Sequence, residues 1–187
     1  MRMLRLTFFV ASTTVCSLTG ALGVNEQATQ ASIFSIPRHG SLRLAVPSGW
    51  LSDSLPLESP ASVTIHIFPK AGNGFDVKVT SVWMDAKALA QTTAESRKRD
   101  MQRSAEEMLP HSVEKVAAPQ EIKGVESVGW YYSLTDREPG EGEFKYLVQG
   151  TILTGDVLSA FTILYRTPAA AEVTQALRML ADAKYLK

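Results

Sequence analysis

The amino-acid sequence predicts an α+β domain in which one antiparallel β-sheet is flanked by helices, in the order βββ-α-ββββ-α. Three observations carry this expectation. Period-two alternation occupies residues 42–82, a helical period replaces it from Asp85 to Leu109, and alternation returns between 125 and 165 before a last helical stripe. The apolar runs are short and separated by Gly- and Pro-containing turns, as hairpin-connected strands require.

The first strand is Leu42-Arg-Leu-Ala-Val46, with Leu42, Leu44 and Val46 on one face, and Val46-Pro-Ser-Gly-Trp50 stops it with a turn. Val63–Phe68 and Phe75–Val82 alternate in the same way, and the glycine-containing stretch Pro69–Gly74 joins them as a hairpin. Asp85 then offers a carboxylate to cap one helix over 86–109, whose inner stripe is Ala90, Ala94, Met101, Ala105 and Met108. On its outer side Glu95, Arg99, Arg103 and Glu107 follow one another at four-residue steps, the pattern of a solvated face. Leu109-Pro110 ends it.

A short run at Val113–Ala118 precedes strands at Val125–Leu134, Glu143–Thr154 and Val157–Tyr165, the last two joined by a tight turn at Gly155-Asp156. Leu158–Tyr165 is almost continuously apolar, which predicts a central strand covered on both faces. Thr167-Pro168 opens the final helix, with Ala169, Val173, Leu177 and Leu180 on its buried side.

The chain start sets an expectation about location. Met1-Arg-Met-Leu-Arg5 is basic, Leu6–Leu22 is apolar, and Ala21-Leu22-Gly23 supplies small residues, so 1–23 reads as a signal peptide cleaved after Gly23. A periplasmic or secreted protein follows from it. The one cysteine, Cys16, stands after Thr13-Thr14-Val15, where a lipobox places a small residue, so it reads as an ordinary leader residue and not as a lipid anchor. Residues 24–41 are polar and weakly periodic and read as a flexible segment before a single domain at 42–187. The chain after the leader, 164 residues long, is large enough to bury roughly 70% of its unfolded surface. No transmembrane span is expected in the mature chain.

Charge and cysteine usage narrow the chemistry. Basic and acidic residues balance at 19 each, and the leader takes Arg2 and Arg5 but no acid with it, which argues against nucleic acid as a partner. Without Cys16 the domain has no thiol, so disulfides, thiol nucleophiles and thiolate metal sites are excluded. His39, His66 and His111 are scattered, no G-x-S-x-G elbow exists, and neither a cofactor, a metal nor a catalytic set is expected. Two groups remain as candidate sites. Trp50, Trp130, Tyr131 and Tyr132 could form a binding surface, with alternation sending Trp130 and Tyr132 to one sheet face and Tyr131 to the other. Asp136, Glu138, Glu141 and Glu143 form an acidic stretch where a weak cation site would be sought, although Pro139, Gly140 and Gly142 also make it an ordinary charged hairpin loop.

Leu44-Ala-Val-Pro-Ser-Gly-Trp50 and Gly129-Trp-Tyr-Tyr132, in this element order, resemble the PsbP-like fold family. It spans the photosystem extrinsic protein PsbP, a Ran-binding nuclear import factor and DcrB-type bacterial envelope proteins, and the resemblance covers most of 42–185. It implies an antiparallel sheet between helices and, because members are mainly accessory, a non-catalytic role. With the leader, the expectation is an envelope protein acting through protein–protein contact. The alternative is a small-ligand or lipid binder with a cavity between helix and sheet; an enzyme would need polar residues from separate strands to converge.

Overall fold

The computed structural model describes residues 28–56, 61–72 and 74–187; the expected leader, including Cys16, lies outside them. Ten strands and three helices follow one another as β1 (Thr29–Ser35), β2 (Ser41–Pro47), β3 (Trp50–Pro56), β4 (Ser62–Pro69), β5 (Phe75–Trp83), α1 (Ala86–Gln91), α2 (Ala94–Met108), β6 (Gln120–Lys123), β7 (Ser127–Thr135), β8 (Tyr146–Thr154), β9 (Val157–Tyr165), α3 (Ala170–Ala181) and β10 (Lys184–Leu186). The fold is α+β with antiparallel sheets, as the sequence predicts. A seven-stranded sheet runs β3-β4-β5-β9-β8-β7-β6, and a three-stranded sheet runs β1-β2-β10.

The register assigns each strand residue to a face. Ile65 pairs with Val79, Val79 with Phe161, Phe161 with Gly150 and Gly150 with Tyr131, so these five share one side. That side is closed by β1-β2-β10 and α3, and their joint core holds Leu42, Leu44, Ile65, Ile67, Val77, Val79, Ile163 and Leu180 at 0–1% exposure. On the opposite side a smaller cluster forms where Met101 and Ala105 of α2 meet Tyr132 and Leu134 of β7. Tyr132 is fully buried there, and its hydroxyl reaches Ser104 at 3.0 Å and donates to Gln149 Oε1 at 2.8 Å. Burial raises the Tyr132 phenol above its ordinary value, the Ser104 hydrogen bond opposes this, and the charge of Glu107 adds to it.

The short strand expected at 113–118 lies instead at Gln120–Lys123 as β6, a short β10 follows the last helix, and four further expectations are corrected. Residues 29–35, expected within a flexible segment, form β1; with only Phe34 buried, the strand shows no alternation. β3, of which the sequence assigns only Trp50, to the turn after β2, is an edge strand whose Leu51 and Leu55 stay exposed, so it too lacks an apolar face. Five strands, not three, therefore precede the helices. The single helix expected at 86–109 is two. Asp85 caps α1 by accepting from Ala88 N at 2.7 Å, but Thr93 is extended and caps α2 by accepting from Ser96 N at 3.1 Å, while Thr92 Oγ1 donates to the Ala88 carbonyl. The break leaves Ala90 and Ala94 exposed and buries Arg97 in their place. Finally, β9 is central but closed on one side only, for Ala160 is exposed and Leu164 half-buried. α2 packs over β7 and β8, and the outer side of β9 is only partly covered.

Candidate functional site

The register places Leu134, Leu147 and Leu164 in one row across β7, β8 and β9, on the side that α2 partly covers. Beyond Met108 the chain tightens into a short 3₁₀ turn at Leu109–His111, because Pro110 cannot continue the helical hydrogen bonding. The segment that follows is tied to the end of β7. Val113 N donates to the Thr135 carbonyl at 2.9 Å, Arg137 N donates to the His111 carbonyl at 3.0 Å, and the Arg137 guanidinium donates to the Ser112 carbonyl at 2.7 and 3.2 Å. Glu114 completes the tie by accepting from Thr135 N at 2.9 Å. Burial pushes the Glu114 carboxyl up, but hydrogen bonds from Thr135, from its own backbone and from Ser112 outweigh this and hold it below the usual range.

Between this helix end and the leucine row lies a cavity of about 210 Å³. Leu134, Leu147 and Leu164 form its floor, Met108, His111 and Ser112 its roof, and Asp136, Phe144, Lys145 and Tyr146 its side wall. Its lining is mostly apolar. A cavity of about 150 Å³ lined by aliphatic and aromatic groups holds a benzene ring, so this one has room for a side-chain-sized apolar group. The side wall is the base of the 136–145 loop, closed by Asp136 N donating to the Lys145 carbonyl at 2.8 Å. Arg166 stands over the Phe144 ring at 5.3 Å and Lys145 over the Tyr146 ring at 5.8 Å.

The four aromatics proposed from sequence are not one surface. Tyr132 is buried under α2, and Trp130 beside it is half-buried with Lys98 4.8 Å above its ring. Tyr131 points to the other face, where its hydroxyl donates to Gln120 at 2.9 Å, and burial raises its phenol. Trp50 lies on β3, packed edge-on against Phe75 at 5.3 Å. Nor do the acidic residues converge. Asp136 Oδ1 accepts from Glu138 N and Glu143 Oε2 from Gly140 N, both as local turn acceptors, and no group of three or more His, Cys, Asp or Glu placed to hold a metal exists among the described residues. The histidines are apart: His39 stacks on Trp83 at 3.9 Å, His66 pairs with Asp76, and His111 is at the cavity.

Sequence reasoning missed Arg97, whose guanidinium is buried beneath α2 and donates to the Val128 carbonyl at 2.6 Å; burial lowers its pKa from the ordinary arginine value. It also missed the cavity, which joins residues from 108 to 164. Of its polar side chains, Ser112 donates to the carbonyls of Leu109 and Glu114.

The chain is thus an α+β domain with an antiparallel sheet closed on one face and bearing a helix and an apolar cavity on the other. No protein-family model matches this sequence, and no curated protein matches it. Among solved structures, the chain is similar to the solution structure of cyanobacterial PsbP from Synechocystis sp. PCC 6803, at 13% identity over 89% of this chain and 98% of that one, with a TM-score of 0.49. It is also similar to a crystal structure from Bacteroides thetaiotaomicron, at 14% identity and a TM-score of 0.43, covering 78% of this chain and 45% of the other. The first of these bears the name of the family that residues 42–185 resemble in sequence pattern. No helix among the described residues is long and apolar enough to cross a membrane.

Proposed function

We propose that this chain is an exported, non-catalytic accessory protein of the cell envelope that binds a protein partner at the cavity end of its helix-bearing face. The observation that carries the reading is the apolar cavity between the end of α2 and the Leu134–Leu147–Leu164 row. Binding energy between proteins concentrates in a few apolar anchors that fill such pockets. The basic and apolar chain start supports export. A photoreactive amino acid at Met108, irradiated in intact cells, is expected to join one envelope protein; the same group at Ile33, exposed on β1, is the control. Crosslinks at Ile33 but none at Met108 would overturn the reading.

The same cavity supports a second reading, the small-ligand binder. Its volume and apolar lining suit a ring or short acyl group. A mass adduct on the purified protein under native conditions, lost in Leu164→Trp, would favour it over a protein partner.

A further inference from the structure

We infer that the partner segment carries one apolar side chain for the cavity, flanked by lysine or arginine residues that meet the 136–143 loop; this rests on the proposed docking at the cavity. The loop cannot be separated from the pocket, because Asp136 at one end and Phe144 beyond the other both line it. Its Glu138, Glu141 and Glu143 are exposed, and no ion pair among the described residues engages them. The nearby cations are directed elsewhere: Arg137 onto the Ser112 carbonyl, Lys145 over Tyr146 and Arg166 over Phe144. Over 136–145 four carboxylates stand against Arg137 and Lys145, so a segment whose apolar anchor enters the cavity lays its flanks beside a net negative loop whose glutamates no ion pair holds. Opposite charge there speeds encounter and fixes register, and like charge is rejected.

The test uses the protein purified from the envelope and three dye-labelled peptides of equal length, read by fluorescence anisotropy. One has a central phenylalanine between lysines and arginines, one the same phenylalanine between glutamates, and one a central serine between the basic flanks. The first is expected to bind about tenfold more tightly than either other and to lose that advantage at high salt. Glu138→Gln/Glu141→Gln/Glu143→Gln, changing exposed side chains only, is expected to melt like the parent and bind the basic phenylalanine peptide about tenfold more weakly. Leu164→Trp, checked for cooperative melting, is expected to abolish the preference for phenylalanine over serine. Equal affinity for the basic and acidic peptides, or an unchanged affinity in the triple glutamine variant, would overturn the inference. If Met108 crosslinks to a partner segment that lacks basic residues, the inference fails and the docking reading stands; if Met108 crosslinks to nothing, the docking reading itself fails.

Discussion

Ile163 and Leu164 are neighbours on β9, the central strand, yet they live in different environments. Ile163 is fully buried in the core shared with α3 and the three-stranded sheet, whereas Leu164 is half-buried on the floor of a cavity. The seven-stranded sheet thus has one face devoted to stability and one only partly closed. Apolar side chains left under a short helix end are where a binding surface is available without cost to the main core.

The contrast breaks most visibly by charge. Ile163→Asp buries a carboxylate with no partner, a cost of several kcal/mol against a total stability of about 5–15, and soluble, cooperatively melting protein is expected to be lost. Gly150→Ala is next. Its added Cβ would lie 2.5 Å from Phe161 Cζ and 2.6 Å from the Trp130 carbonyl, so about 1–3 kcal/mol should disappear from denaturant unfolding. Leu164→Asp, one residue from the first substitution, is expected to cost only about 1–2 kcal/mol and to leave the fold standing, because its carboxylate reaches a cavity open to water. If it unfolds the protein as completely as Ile163→Asp, the two faces do not differ.

Two smaller effects sharpen the cavity wall. The folded Glu114 carboxyl titrates below its ordinary range, so it adds stability at pH above the unfolded glutamate value, and this is lost as pH falls through the lower folded value. Glu114→Gln should flatten the acid limb of a stability-versus-pH curve by lowering stability at neutral pH, with the acid end nearly unaffected. Replacing 138–143 by a tight Asn-Gly turn keeps Asp136 and Arg137 with their hydrogen bonds to Lys145, His111 and Ser112 and changes loop closure by only about 0.6 kcal/mol per twofold change in length, so the melting temperature should barely move.

What was legible in the sequence follows the same division. Strong alternation announced β2, β4, β5, β7, β8 and β9, and Asp85 and Gly155-Asp156 marked a cap and a hairpin, because each signal is local and each strand buries a full face. β1 and β3 were hidden because edge strands bury little. The threonine pair at 92–93 was read through as helix because the apolar period continues across it. Trp130 and Tyr132 could be assigned to a shared face by parity, but not to a place under α2. The acidic loop was visible and its neighbour was not: nothing local links Met108 and His111 to Phe144 and Leu164, and only the packing of α2 across β7 and β8 brings them to one cavity.

The central claim is that the cavity floored by the leucine row under the end of α2 is the binding site. Methyl-resolved NMR of the purified protein, titrated with indole as a side-chain-sized apolar probe, tests it most directly. The account predicts saturable shifts of the Met108, Leu134, Leu147 and Leu164 methyls, with Val79 and Ile163 unmoved. Shifts confined to the closed face, or spread evenly over both, would contradict it.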